Sequence, residues 1–347
     1  EAYKRGEQPA HLWTDCLKDE RRKEHKVKKP RLFTMGSLDR FIVGKILYGD
    51  FIAAMMELRH EIGIMVGIDV NGPEWTKLLE DLKSYSPVGL DGDHGEFDGS
   101  QMAEVMARVN DIKNRVYSDG NTLARACYSE SLIHSVHICG NLVYQSSKGM
   151  NSGDLLTTID NSLVNMFYMA MAYLLIARKE PKAIGLDSLH VYDKKICWRF
   201  YGDDNLSAIP PELDFYNGDN IATTLSKYGL SYGPADKKSK FGPLKPVSQL
   251  SFLKRSFLEH PKIAGRYLAP IESYVIHELV NWIKVCPDKH EALMTNLLDS
   301  LRFAYHHGPS FYDEHLQKVN VGLDSIGKNP ICIPWSVFDR EWLHNFA

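Results

Sequence analysis

Ile196-Cys197-Trp198-Arg199-Phe200-Tyr201-Gly202-Asp203-Asp204-Asn205-Leu206-Ser207-Ala208-Ile209 sets two short apolar runs on either side of a Gly-Asp-Asp turn. Runs of this length around a turn dipeptide predict a β-hairpin. Its tip can present the carboxylates of Asp203 and Asp204 without burying them unpaired. A divalent cation could sit there, but Gly and Asp are also the ordinary residues of tight turns, so the hairpin alone weighs both readings evenly.

Working outward, residues 87–93 (Pro87-Val88-Gly89-Leu90-Asp91-Gly92-Asp93) predict a buried strand that ends in an acid, and Asp98 follows after four intervening residues. Taken singly, a strand-end acid is ordinarily a solvated surface residue. Magnesium, however, takes a few carboxylates plus phosphate oxygens and water, and one acid from this strand with one from the hairpin would supply them. Between the two segments, Ser152-Gly153-Asp154-Leu155-Leu156-Thr157 leads through Thr158-Ile159-Asp160 to Asn161-Ser162. This predicts a Ser-Gly loop entering a long helix over about residues 155–178. Thr157 and Asn161 lie four apart on one face, placed to hydrogen-bond a sugar. A plain helix start capped by Ser152 is the competing account.

The remaining pattern predicts helices over 38–59, 75–82, 101–117, 122–136 and 219–228, a hairpin over 136–145 around Gly140-Asn141, and a strand pair around 251–257. From residue 271 the periodicity is helical. Mixed strands and helices followed by a helical last third give an α+β class, and the 347 residues suffice for a sizeable core.

The 41 basic and 44 acidic residues leave a net charge of −3, so any nucleic-acid signal has to be local. The most basic stretch is 16–31, where Lys18, Arg21, Arg22, Lys23, Lys26, Lys28, Lys29 and Arg31 stand against Asp19, Glu20 and Glu24. An isolated run of this kind is most often a solvated face. The six cysteines form no Cys-x-x-Cys pair, against a zinc knuckle or a disulfide framework. The longest apolar run, 167–177, is about half of what a bilayer needs and predicts a buried helix rather than a transmembrane segment. The start, Glu1-Ala2-Tyr3-Lys4-Arg5, has neither an initiating Met nor the apolar core of a signal peptide, so the chain reads as a piece of something longer.

In order and spacing, Asp93-x-x-x-x-Asp98, Ser152-Gly153-x-x-x-Thr157-x-x-x-Asn161-Ser162 and Tyr201-Gly202-Asp203-Asp204 resemble motifs A, B and C of picornavirus-like RNA-dependent RNA polymerases. The likeness extends to motif F (Leu17-Lys18-Asp19-Glu20-Arg21-Arg22 through Lys29-Pro30-Arg31-Leu32), motif D (Gly233-Pro234-Ala235-Asp236-Lys237) and motif E (Phe252-Leu253-Lys254-Arg255). Ile333-Pro334-Trp335 onward resembles the end of such a polymerase's thumb. Gly92 and His94 depart from it, standing where hydrophobic or aromatic residues are common. Members of the family also carry an extended N-terminal region, whereas this sequence begins just before motif F.

The resemblance implies a right-hand polymerase with an antiparallel-sheet palm, partial fingers and a helical thumb. Its parts would be residues 1–50 (fingers, motif F), 51–129 (palm, motif A), 130–149 (fingers insertion), 150–260 (palm, motifs B to E) and 261–347 (thumb). It implies that Asp93 and Asp203 bind catalytic Mg2+, with Mn2+ as a substitute and Asp204 as an accessory acid. Asp98, Thr157 and Asn161 would sense the ribose beside the Ser152-Gly153 loop. Lys18, Arg22 and Arg31 would hold the triphosphate, Lys237 would protonate the leaving pyrophosphate, and Lys254 and Arg255 would grip the primer. The implied partners are template and primer RNA, ribonucleoside triphosphates, a genome-linked protein primer and other viral replication proteins. The implied setting is the host cytoplasm at membrane-associated replication complexes. A reverse transcriptase-like polymerase and a non-catalytic RNA-binding remnant of the fold are the alternatives. Asp98, Thr157 and Asn161 speak against the first and the intact acids against the second.

Overall fold

The structure, a computed structural model, describes residues 1–9, 11–20, 28, 30–236 and 240–344. In chain order the strands are β1 (Leu12–Leu17), β2 (Leu32–Met35), β3 (Val88–Gly95), β4 (Val136–Cys139), β5 (Leu142–Gln145), β6 (Cys197–Tyr201), β7 (Asp204–Ala208), β8 (Ser231–Gly233), β9 (Lys245–Pro246), β10 (Leu258–Glu259) and β11 (Tyr267–Leu268). The central antiparallel sheet runs β6-β7-β3-β8, with β9 also on β3. Apolar side chains in β6 and β7 are needed on both faces, because helix Thr157–Ala177 packs on one and helix Pro73–Tyr85 on the other. Alternation along the strands divides the residues: Leu90, Trp198 and Phe200 join the first core, while Cys197, Leu206 and Ala208 join the second.

Helix Thr157–Ala177 is long and apolar enough by composition to cross a membrane. Here Val164, Tyr168, Met169, Ala172 and Tyr173 are wholly enclosed in the core against the sheet. Its start falls two residues later than the periodicity predicts.

A second sheet, β2-β1-β4-β5, joins chain regions far apart in sequence, with β1 antiparallel to β2 but parallel to β4 (Leu12 opposite Val136). Helices Leu38–Glu57 and Thr122–Ile133 run across the expected boundaries at residues 50 and 129. They share a core with Tyr3, Tyr48, Tyr128 and Leu156, so one packing unit spans each of those points.

The last third forms helices Ser273–Leu279, Lys289–Tyr305, Pro309–Ser325 and Trp335–His344 around Leu301, Tyr312, Trp335 and Phe338. His306 ties this bundle to the rest. Its Nδ1 accepts the Ala269 N–H (3.3 Å), which leaves Nε2 to donate to Asn71 Oδ1 (2.9 Å). Burial, with Arg255 and His307 nearby, pushes its pKa down to about 3. An unfolded chain protonates this histidine near pH 6.5. The stability that His306 contributes is therefore complete above that pH and is lost as pH falls towards 3. His306→Gln is expected to flatten the fall in unfolding free energy between pH 6 and 4 by up to about 1.4 kcal/mol per pH unit. Denaturant titrations over that range check this, and an unchanged slope would refute it.

The strand pair expected around 251–257 is not a ladder. Phe252 and Arg255 exchange backbone hydrogen bonds across Leu253 and Lys254, both left-handed (φ 53° and 59°), and Arg255 forms a further single bridge to Ile271. The result is one tight turn, and its flanking polar groups go elsewhere: Ser251 N and Oγ to Asp91 Oδ2, and Ser256 N to Pro270 O.

Candidate active site

The hairpin tip is only two residues, Gly202-Asp203, because Tyr201 and Asp204 are already paired across β6 and β7. Gly202 has φ 64°, a conformation that a side chain would resist. Asp203 is exposed at this tip. Asp204 lies directly opposite Asp93 in the β3/β7 ladder, and directly opposed residues in an antiparallel pair point to the same face. The His94 N–H meets the Asp203 carbonyl at 3.4 Å, which brings the tip against the end of β3. The sequence stretches that carry Asp93, Asp203 and Asp204 thus meet at one corner of the sheet.

Asp204 is not the open tip acid that the sequence predicts. Its Oδ2 accepts the Leu253 N–H at 2.7 Å, while its Oδ1 is enclosed with no hydrogen-bond partner among the described residues. Burial pushes its pKa up to about 8, against the pull of the Leu253 N–H, and the charges of Asp93, Asp203 and Asp91 add to the rise. Asp91 is held by Ser251. The donor set suits a hard divalent cation: closely opposed carboxylates, one with an enclosed oxygen lacking a donor. Among the described residues no closed cluster of three or more His, Cys, Asp or Glu forms a cage.

The turn is held by helix Thr157–Ala177, through Ser162 of the motif B match and through Asn165, which no motif assignment singles out. Asn165 Nδ2 donates to the Gly202 and Asp203 carbonyls (3.0 and 3.2 Å), and Ser162 Oγ accepts the Gly202 N–H at 2.8 Å. Asn165 Oδ1 faces His94 Nε2 (3.1 Å) and accepts from Asn205 Nδ2 (3.3 Å). Tyr232 Oη in turn donates to Asn205 Oδ1 at 2.8 Å. This network accounts for Gly92 and His94. A Cβ on Gly92 would stand 2.0 Å from Tyr232 Oη, and His94 is enclosed among Phe97, Tyr168 and Tyr232, where burial pushes its pKa down to about 4.

Beyond β3 the chain turns at Glu96 (φ 51°) into the short helix Phe97–Ser100. Asp98 Oδ1 accepts from Asn161 Nδ2 at 2.8 Å, and Asn161 Oδ1 accepts from the buried Gln101 Nε2. Burial raises the Asp98 pKa; the Asn161 donor and the charges of Arg31 and Lys18 oppose the rise, and Asp203 adds to it. Asp98 and Asn161 are thus bonded to each other, with the charges of Asp203, Lys18 and Arg31 near enough to act on Asp98. The Thr157 hydroxyl is engaged with the Asn151 and Asp154 carbonyls (2.8 and 2.9 Å). Arg22 and Lys237 lie outside the described residues.

Ser152-Gly153 is joined to β2 rather than capping the helix. Thr34 N donates to Ser152 Oγ (3.1 Å), and a Cβ on Gly153 would stand 1.9 Å from Thr34 O. Beneath the loop, Asp154 Oδ2 takes two bonds from Arg40, whose guanidinium also donates to Ser131 Oγ and lies over the Tyr128 ring at 3.9 Å. Of the two motif E cations, Lys254 is exposed at the turn. Arg255 is turned away, donating to Ala269 O at 2.6 Å and lying over Phe303.

A model of the family described as viral RNA-dependent RNA polymerase matches residues 1–321. The chain is 34% identical over 350 residues to the genome polyprotein of Rice tungro spherical virus (strain Vt6), covering 97% of this chain and 10% of that one. It is 30% identical to the replicase polyprotein of Acute bee paralysis virus (strain Rothamsted), over 90% of this chain and 17% of that one. It therefore spans a small fraction of the length of these relatives. Among solved structures, a Sicinivirus 3Dpol RNA dependent RNA polymerase superposes with a TM-score of 0.82 at 25% identity, covering 99% of this chain and 69% of that one.

Proposed function

This chain belongs to the viral RNA-dependent RNA polymerase family, and on that premise we propose that it carries the catalytic centre for template-directed RNA synthesis from ribonucleoside triphosphates. The observation that carries the proposal is the meeting of Asp93, Asp203 and Asp204 at one corner of the sheet, beside the Asp98–Asn161 pair. Asp93 and Asp203 would hold the magnesium ions, for which manganese could substitute; such ions, when bound, would supply activation of the attacking hydroxyl and stabilisation of the leaving oxygen in an in-line displacement. Asp204 keeps the motif E turn in place through Leu253. Lys18 and Arg31 neutralise the triphosphate; Arg22 and the pyrophosphate-protonating Lys237 join them on the family resemblance.

Asp98 and Asn161 select the sugar. Polar groups arranged to bond a 2′-hydroxyl are left unpaired by a deoxynucleotide, which discriminates far more strongly than a steric pocket does. This favours a polymerase of RNA over a reverse transcriptase. Lys254 contacts the primer backbone, a salt-sensitive interaction independent of sequence, and Arg255 braces the turn from behind. Template and primer RNA are the macromolecular partners, with a genome-linked protein as a further primer. Other replication proteins join them at host cytoplasmic membranes.

Primer extension by the full-length protein on a homopolymeric RNA template tests this. Incorporation of the complementary ribonucleotide is expected, ending when the divalent cation is chelated. Addition that ignores the template, or a preference for deoxynucleotides, would overturn the proposal.

A further inference from the structure

We propose that Gln101 is a positioning residue for ribose selection, holding the Asn161 carboxamide in the orientation that directs its N–H donors at Asp98. The inference rests on the sugar-selecting reading of Asp98 and Asn161 given above.

The three side chains form a directed chain. An ionised Asp98 can only accept, so Asn161 has to show it Nδ2, and the same plane then turns Oδ1 towards Gln101, which answers with Nε2. The torsion that flips an Asn carboxamide is broad and nearly two-fold, so packing alone sets its orientation poorly. With Gln101 presenting Nε2, a flipped Asn161 would set acceptor against acceptor at Asp98 and donor against donor at Gln101. The Gln101 bond thus adds to the Asp98 bond in favouring one orientation of the amide before a nucleotide arrives.

The base of Gln101 is fixed as well. Its carbonyl accepts the Gly149 N–H (3.1 Å), and the Asp98 carbonyl accepts the Met150 N–H (2.7 Å). Segment 98–101 is thus pinned to the loop before Ser152. Gln101 is fully buried, and its Oε1 finds no hydrogen-bond partner among the described residues. An enclosed amide oxygen without a donor is destabilising, so a leucine of similar size would be the better choice for packing alone. The amide is explained by what its nitrogen does at Asn161. No motif marks the residue, which follows Asp98 by three positions on the far side of a short helix.

The test compares ribonucleotides with matching 2′-deoxynucleotides in steady-state primer extension by the full-length protein, using Gln101→Leu, Gln101→Met and, as reference, Asn161→Ala. For both Gln101 variants the ribo-to-deoxy ratio of kcat/KM is expected to fall about tenfold, mostly through a higher KM for the ribonucleotide. The thermal midpoint is expected to stay near the parent's, since an orphaned oxygen leaves with the side chain while Asn161 Oδ1 loses its donor. A merely structural role would instead lower the midpoint and reduce both substrates alike. If Asn161→Ala collapses the ratio while both Gln101 variants keep it, Gln101 has no positioning role and the sugar-selecting pair stands. If Asn161→Ala also keeps the ratio, the pair and the inference fall together.

Discussion

Asp203→Asn is expected to reduce nucleotide incorporation by about a thousandfold or more while leaving the fold intact. The substitution keeps the volume of the side chain and removes the charge that grips a cation. The turn itself should persist, because its backbone is held from outside by Asn165 Nδ2 on the Gly202 and Asp203 carbonyls and by Ser162 Oγ on the Gly202 N–H. Neither contact uses the Asp203 carboxylate. Primer extension measures the first part, and thermal melting against the parent protein the second. Incorporation that survives the change would remove Asp203 from the cation site; a large drop in melting temperature would show that the carboxylate also carries the turn.

Arg40→Leu is expected to give a large loss of stability among single substitutions in this chain, about 3–5 kcal/mol. Arg40 and Asp154 are both about 1% exposed and 3.1 Å apart, and removing the cation strands a buried carboxylate. Tyr128 Oη (3.2 Å to Oδ2) and the Leu156 N–H (3.0 Å to Oδ1) would remain as donors to Asp154, but two neutral donors do not replace a guanidinium that makes two bonds. Adding Asp154→Leu to Arg40→Leu should return part of the loss, because the charge left behind is the costly species. Urea titrations of the parent, the single and the double variant decide it. A cost below about 1 kcal/mol for the single change would place this pair with ordinary surface ion pairs.

The central hairpin, the strand carrying Asp93 and the long helix after Ser152-Gly153 were legible in the sequence because each is marked locally. Apolar runs of strand length, Gly-Asp turns and helical periodicity survive without knowledge of distant partners. Asn165, Gln101 and Arg40 were not legible for the opposite reason. A polar residue within a helix or loop looks the same whether it faces water or a backbone carbonyl forty positions away. The turn at Leu253-Lys254 is not legible as a turn because it carries no Gly, Pro, Asn or Asp, while Phe252, Leu253 and Phe257 give the segment the apolar content of strands. Its flanking polar groups are satisfied by Asp91, Asp204 and Pro270, none of which a local pattern can reveal. The tip raises a related point: adjacent acids in a formula look equivalent, but a two-residue turn leaves Asp203 outside and draws Asp204 into the ladder.

The parallel pairing of β1 with β4 bears on how the chain is made. Leu12 finds its partner only at Val136, so the β1–β2 ribbon leaves the ribosome long before the strand that completes its sheet. A two-stranded ribbon is marginal in water, and this one keeps Leu12 and Leu32 on its surface even in the finished protein. The β1–β2 ribbon should therefore remain provisional during translation, becoming protease-resistant only after residue 139 has emerged.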